Sequence, residues 1–136
     1  MTRRALLLSA LLLFPSACAS VGTTQSAAAP AMVVDRLFFG TNIPSGGRVS
    51  DDEWRTFVRE VVTPRFKDGL TIFEANGQWL DPRGELVREH VMVVEVAHKP
   101  ASDVEASIRD IANEYKKRFK QDAVLRMTVP ATMTLY

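Results

Sequence analysis

One stretch constrains the architecture more than any other part of the chain: LTIFEANGQWLDPRGELVREHVMVVEVAH, residues 70–98. Two runs rich in β-branched and aromatic residues flank the segment DPRG, residues 81–84, where aspartate, proline and glycine stand at positions that a type I turn prefers. The segment therefore predicts one long β-hairpin. Asn76-Gly77 lies inside the first run and is typical either of a tight hairpin tip or of a β-bulge. We favour the bulge, because only three residues separate Gly77 from Asp81.

Two further strands and two helices are predicted around this hairpin. Each helix is indicated by a capping-box spacing and by an apolar stripe at helical spacing; the capping pairs are Ser50 with Glu53 and Ser102 with Glu105. The strands outside the hairpin are residues 32–40 and 123–136. The order strand, helix, strand, strand, helix, strand is the ferredoxin-like βαββαβ pattern. We therefore expect an α+β fold with a four-stranded antiparallel sheet and two helices on one face.

Length, charge and cysteine content exclude several classes of protein. The 136 residues fit one domain, and the 46% hydrophobic share allows an ordinary core. The 17 basic and 16 acidic side chains nearly cancel, whereas a nucleic-acid-binding protein usually has a clear basic excess, so we expect no nucleic acid as a partner. A single cysteine excludes an internal disulfide framework and a tetrathiolate zinc site.

The N-terminus has the pattern of a secretory signal peptide. Arg3 and Arg4 precede an apolar run, residues 5–14, which is too short to span a bilayer as a helix. Small residues follow the run, as they do at a signal cleavage site. We therefore expect the protein to be exported and to lie on the periplasmic side of the cell envelope.

Cys18 is the predicted lipidation site, although two cleavage positions are open. The segment SAC, residues 16–18, resembles the end of a bacterial lipoprotein signal, in which cleavage precedes a cysteine that takes a diacylglyceryl group; Pro15 departs from the leucine usual there. The alternative is ordinary cleavage after Ala19. We favour lipidation, because the only cysteine lies where lipidation requires it. The predicted divisions are a signal peptide at 1–17, a flexible tether at 18–31 and a single α+β domain at 32–136.

The predicted sheet has one face without helices, and the alternation of side chains along each strand assigns residues to it. Val94 is expected to face the helices, and Met127 is expected to do the same in the last strand. For the other two strands the assignment requires that Leu37 and Ile72 face inward. The candidate binding or interface residues that this places on the open face are Arg36, Phe38, Phe73, Glu89, Val91, Val93, Glu95 and Arg126.

An exposed apolar sheet face usually marks an interaction site. We expect this one to bind a protein partner or a second copy of the chain, giving a homodimer, without catalysis. The alternative is a small-molecule site or an enzyme active site that uses Arg36, Arg126, Glu89 and Glu95. The face is also consistent with cross-strand ion pairs on a solvated sheet in a purely structural lipoprotein. Trp79 has two interpretations, packing at the predicted bulge or a platform for a ligand.

The sequence contains no recognisable catalytic, cofactor or metal-binding pattern. His90 and His98 are the only histidines, and on one continuous strand they would lie about 26 Å apart. There is no G-x-S-x-G segment, P-loop or dinucleotide-binding fingerprint. We therefore expect no cofactor and no metal, and we favour a protein that is not an enzyme.

Several short segments together form a distinctive pattern: Trp54 with Phe57, VTPRF at 62–66, GLT at 69–71, GQW at 77–79, RE at 88–89, Tyr115-Lys116 with Phe119, and Gln121 with VLR at 124–126. In these segments the chain resembles DUF3574, a bacterial family of exported proteins of unknown function, over residues 36–136. The resemblance implies export and the extent of the domain, and lipoprotein-like signals are common among similar proteins. It implies no activity.

Overall fold

The computed structural model describes residues 31–136. The predicted signal peptide, the predicted lipidation site Cys18 and the predicted tether as far as residue 30 lie outside the described residues. Within residues 31–136, none of the helices combines the length and the apolar character needed to cross a membrane. The described residues include the whole of the predicted domain, 32–136.

The described residues form a four-stranded sheet and two helices in the predicted order. The strands are β1 (Met32–Gly40), β2 (Thr71–Leu80), β3 (Leu86–His98) and β4 (Leu125–Ala131), and the helices are α1 (Asp51–Phe57) and α2 (Ser102–Phe119). α1 continues directly into a π-helical segment (Val58–Val62) and a 3-10 turn (Thr63–Arg65). The strand order across the sheet is β2-β3-β1-β4, and every neighbouring pair is antiparallel. The predicted ferredoxin-like α+β fold is confirmed.

The two helices begin differently. Ser50 caps α1: its hydroxyl accepts the N–H of Glu53, and the Glu53 carboxylate accepts the N–H of Ser50 at 2.8 Å, so this capping box is confirmed. The second predicted capping box is wrong, because α2 is preceded by Ala101 and has no side-chain hydrogen bond at that position. Ser102 is already the first helical residue and therefore lies past the cap position.

The hairpin of β2 and β3 is regular along its whole length. Its register runs without a shift from Thr71 opposite Glu95 to Leu80 opposite Leu86, so the predicted bulge at Asn76-Gly77 is wrong. Gly77 instead fits the ladder as an extended residue, and a Cβ there would lie 3.3 Å from a methyl group of Val91. The predicted turn is present, with the Gly84 N–H donating to the Asp81 carbonyl at 2.9 Å.

Both helices pack on the same face of the sheet, and the core lies between them and the strands. Its centre is a group of four buried aromatic rings, those of Phe39, Trp54, Phe57 and Tyr115. Their centroids lie 4.8 to 6.1 Å apart in tilted and edge-to-face arrangements, which aromatic pairs favour. One side of the sheet is therefore closed by α1 and α2, and within residues 31–136 no helix lies over the other side.

β4 turns the opposite side chains inward from those that the sequence predicted. Arg126 lies opposite Leu37, whose side chain is in the core, and Met127 lies opposite Arg36. The prediction that Arg126 lies on the open face is therefore wrong. The physical reason is Asp35, which shares the helix-facing side with Leu37 and is 1% exposed. A buried carboxylate is costly without a cationic partner, and Arg126 supplies it.

Candidate functional site

The sheet face opposite the helices, here called the open face, takes side chains from all four strands. Its members are Val34, Arg36, Phe38 and Gly40 of β1, Thr71, Phe73, Ala75, Gly77 and Trp79 of β2, Val87, Glu89, Val91, Val93 and Glu95 of β3, and Leu125, Met127 and Val129 of β4. The structure thus brings together every predicted site residue of the domain except Arg126. It adds three apolar side chains of β4 that the sequence had assigned to the core.

The open face carries half of the exposed large hydrophobic side chains found among residues 31–136. Five of its large hydrophobic residues are exposed, and they come from both edge strands: Phe73, Trp79, Leu125, Met127 and Val129. Among the described residues, α1 and α2 contribute no exposed large hydrophobic side chain. Outside the hairpin end (Leu80 and Leu86) and the C-terminal segment (Met133, Leu135 and Tyr136), the exposed large hydrophobic side chains of residues 31–136 all lie on the open face, as they do at interaction sites.

Two predicted interface residues are not available to a partner. Val93 is fully buried and Val91 nearly so, although both belong to the open face. Phe38 and Phe73 lie directly opposite Val93 on the two neighbouring strands and flank it. The two valines therefore support the open face from within, while the side chains at its edges form the accessible surface.

The two charged groups near the middle of the open face neutralise each other. Arg36 donates from Nε to the Glu95 carboxylate at 2.5 Å, across the β1–β3 ladder. Both side chains are partly exposed, so the ion pair contributes about 0–1 kcal/mol to stability. Its main effect is to leave this part of the face with no net charge.

A cavity lies at one end of the open face, between β2, β3 and the segments that follow β1 and α2. Its volume is about 590 Å³, within the range of small-molecule sites. Gly40 and Gly77 are among its lining residues and place no side chains in it. A Cβ at Gly40 would lie 2.5 Å from Oε1 of Glu89, so Glu89 occupies the space that this glycine leaves. We call this feature the Glu89 cavity.

The backbone around the Glu89 cavity is fixed by hydrogen bonds from three parts of the chain. The Asn42 N–H donates to Oε1 of Glu89 at 2.9 Å, and the Gln121 side chain donates to the Asn42 carbonyl at 2.8 Å. Tyr115 of α2 donates its hydroxyl proton to the Gly40 carbonyl at 2.9 Å. Burial raises the pKa of Tyr115 and the nearby negative charge of Glu89 raises it further, so this hydroxyl stays a donor. These contacts hold the Glu89 carboxylate in one place.

Sequence reasoning missed Gly40, Asn42 and Gln121 as parts of this site. Gly40 looked like the end of a strand, and Asn42 looked like loop chemistry. The available signal was the pair of glycines, Gly40 and Gly77, each near a strand that also carries aromatic residues. Glycine inside a strand often marks a close approach of another group.

A second charged group lies on the helix-facing side, around Asp35. Arg126 donates to both carboxylate oxygens of Asp35, at 2.9 and 2.7 Å, and His98 contacts the same carboxylate at 2.8 Å. Thr128 also donates to Asp35, and Arg126 donates to Glu105 of α2 at 2.6 Å. Burial opposes ionisation of Asp35, but the hydrogen bonds from Arg126, Thr128 and His98 outweigh it, so the pKa of Asp35 lies below its ordinary value. This cluster joins β1, β3, β4 and α2, and it is structural.

Metal-binding groups are not assembled in the part of the chain that the structure describes. Within residues 31–136 no three side chains among histidine, cysteine, aspartate and glutamate are placed to hold one ion. His98 is engaged with Asp35, and His90 contacts Glu74 at 3.1 Å. The chemistry that the open face offers is therefore apolar contact together with one anchored carboxylate.

Comparison with solved structures agrees with the fold. A phage SAM lyase in complex with S-methyl-5'-thioadenosine is 16% identical to this chain, covers 75% of it and 83% of its own length, and has a TM-score of 0.56. The phage SAM lyase in its apo state is also 16% identical, with coverages of 71% and 78% and a TM-score of 0.54. At this identity the likeness shows the fold alone. No curated protein matches the chain.

Comparison with protein families identifies the group to which the chain belongs. The family described as "Protein of unknown function (DUF3574)" matches residues 34–135, from β1 to the C-terminal segment. That span is well over half of the chain and contains the open face, the Glu89 cavity and the Asp35 cluster. The chain belongs to the DUF3574 family of proteins of unknown function.

Proposed function

We propose that this protein is a lipid-anchored domain of the bacterial cell envelope that associates with a second copy of itself through the open face, without catalysis. The observation that carries the proposal is the gathering of exposed apolar side chains on one face of the sheet. A second copy is the favoured partner, because the face has no excess of either charge around Arg36 and Glu95. In a two-fold symmetric interface, if one residue contacts a second residue of the other copy, the reciprocal contact also forms. An arginine beside a glutamate on one face can therefore pair with the glutamate and the arginine of the second copy.

Met127→Glu is expected to weaken self-association by at least about tenfold, because it adds a second carboxylate beside the Arg36–Glu95 pair and so gives the apolar contact of both copies a net negative charge. The matched control is Leu86→Glu. The two side chains have similar exposure, 45% and 49%, but Leu86 has the opposite parity in the hairpin and lies off the open face. Light scattering over a concentration series, with the full chain carrying Cys18→Ser, gives the association constant of each variant. A wild-type chain that stays monomeric at every concentration, or equal effects of the two substitutions, would contradict the proposal.

Cys18→Ser is expected to move the protein from the membrane fraction to the soluble periplasmic fraction. A diacylglyceryl group supplies two acyl chains, which suffice for stable anchoring, whereas the domain itself contains no helix fit to span a membrane within residues 31–136. Ser20→Ala is the control, because it changes a neighbouring small residue and keeps the cysteine. Mass spectrometry of the mature N-terminus adds an independent test. An unmodified chain that begins at Ser20 would show ordinary cleavage after Ala19 and reject the lipid anchor.

A small-molecule role has its own supporting observation, the Glu89 cavity. The predicted version of this role relied on Arg36, Arg126, Glu89 and Glu95 together. Arg126 faces the helices, and Arg36 and Glu95 bind each other. Glu89 is the remaining charged member of that set on the open face, so a ligand site there depends on a carboxylate and not on arginine.

A further inference from the structure

The Glu89 cavity combines one anchored carboxylate with apolar walls. Glu89 lies at the base, where Gly40 leaves room for its carboxylate. Phe38, Trp79 and Leu125 are among the residues that form the walls. Ligand sites typically have this composition, mostly apolar lining with a few fixed polar groups that set orientation.

The charge of the Glu89 cavity determines whether it favours a positively or a negatively charged ligand. Among the described residues, those that line it include two carboxylates, Glu89 and Asp122, and no lysine, arginine or histidine. Glu89 accepts one hydrogen bond from a backbone N–H, at Oε1, and the salt bridges among residues 31–136 do not include it. On its other side Glu89 borders a second cavity that Arg48, Arg88 and His90 also line, and none of these three forms a salt bridge with it. A half-buried carboxylate without a salt bridge favours a positively charged ligand.

Trp79 supplies the second element of recognition. Its side chain is 47% exposed on the wall of the cavity, two residues along β2 from Gly77, which lies opposite Glu89. An exposed indole ring attracts a cation placed over its face, and a carboxylate nearby adds a directional hydrogen-bond acceptor. Ammonium groups are recognised by this pairing of an aromatic face with a carboxylate.

We infer that the Glu89 cavity binds a small organic ammonium ion that carries an apolar group. The ammonium group donates to the Glu89 carboxylate and contacts the Trp79 ring, and the apolar group packs against Phe38 and Leu125. Backbone hydrogen bonding by Asn42 keeps the carboxylate in position before the ligand arrives. The cavity shares Trp79 and Leu125 with the open face, so the proposed self-association would cover it. Met127, the test residue for self-association, does not line the cavity.

Three probes of similar size and different charge test the inference: phenethylammonium, 2-phenylethanol and phenylacetate. We expect phenethylammonium to bind at least about tenfold more tightly than 2-phenylethanol, and phenylacetate to bind most weakly. Affinities are measured by isothermal titration with the full chain carrying Cys18→Ser, and again with Met127→Glu added. The second protein tests the cavity in a monomer, so that failure of the proposed dimer and failure of the ligand site are distinguishable. Equal affinities for all three probes would overturn the inference.

Two glutamates on the same strand and face provide a matched pair of variants. Glu89→Gln is expected to lower the affinity for phenethylammonium about tenfold or more and to leave that for 2-phenylethanol unchanged. Glu95→Gln should leave both affinities unchanged, because Glu95 is paired with Arg36 outside the cavity. Amide NMR shifts at Asn42 and Gly77 locate the bound probe. Unchanged binding by Glu89→Gln, or shifts confined to residues away from the cavity, would reject the site.

Discussion

Replacing Asp35 with asparagine is expected to lower the free energy of unfolding by about 3 kcal/mol, a large part of the total for a small domain. The substitution preserves size but removes the charge that Arg126 and His98 contact. The loss is at the low end for a broken buried pair, because Glu105 still accepts from Arg126. Urea denaturation of the variant and the wild type measures the difference.

Glu105→Gln is the control for this prediction, because Glu105 contacts the same guanidinium group from the solvent side of α2. Its side chain is about half exposed, so the loss should stay below about 1 kcal/mol. Equal losses for Asp35→Asn and Glu105→Gln would show that burial of the Asp35 carboxylate does not determine the strength of the cluster.

The Asp35 carboxylate is expected to make the free energy of unfolding depend on pH in the acidic range. Because the pKa of Asp35 is lowered in the folded state, its ionisation stabilises the fold fully above the unfolded value, about 4, and progressively less as pH falls through the folded value. The free-energy difference between wild type and Asp35→Asn should therefore shrink as pH is lowered from 5 to about 2. A difference that stays constant over this range would contradict the assignment.

Local signals account for what the sequence predicted correctly. The turn at residues 81–84, the alternation of β3 and the capping box of Ser50 each depend on a few neighbouring residues, and together they set the element order. The prediction of a bulge was wrong because an Asn-Gly pair occurs in hairpin turns, in bulges and in regular strands. Here Gly77 makes space in an extended strand for groups on its neighbour, which is a property of the partner strand and not of its own segment.

The orientation of β4 depended on a contact between distant residues. Alternation separates Leu125, Met127 and Val129 from Arg126 and Thr128, but it does not say which set faces the helices. Asp35 decides this, and it lies 91 residues from Arg126 in the chain. A signal was nonetheless present, because Asp35 interrupts an otherwise apolar parity in β1 and thereby predicts a buried carboxylate in need of a cation.

The candidate site was only partly accessible from the sequence for a related reason. Glu89 and Trp79 could be placed on one face by counting along two strands. The cavity between them also requires Gly40, Asn42 and Gln121, which come from separate segments and meet only in the folded chain. Two of its lining residues are glycines, Gly40 and Gly77, and hydrophobic periodicity does not reveal the space beside a residue that has no side chain.

Val93→Glu is expected to unfold the domain, not merely to block association. Val93 is 0% exposed, between Phe38 and Phe73 on the neighbouring strands, so a glutamate there would bury an unpaired charge. The cost of such burial is comparable to the whole stability of a small domain, about 5–15 kcal/mol. Circular dichroism should show loss of the cooperative thermal transition, whereas Val93→Ala should lose only about 2 kcal/mol.

The comparison distinguishes buried residues that support the open face, such as Val93, from exposed residues that a partner can contact, such as Met127. Met127→Glu puts the same charge on the same face at an exposed edge position, and it should keep a wild-type melting curve while losing association. If Val93→Glu unfolds cooperatively near the wild-type temperature, the sheet tolerates charge at its centre and the face is solvated. A folded Met127→Glu beside an unfolded Val93→Glu would instead assign the apolar surface to the edge strands, where a second copy could reach it.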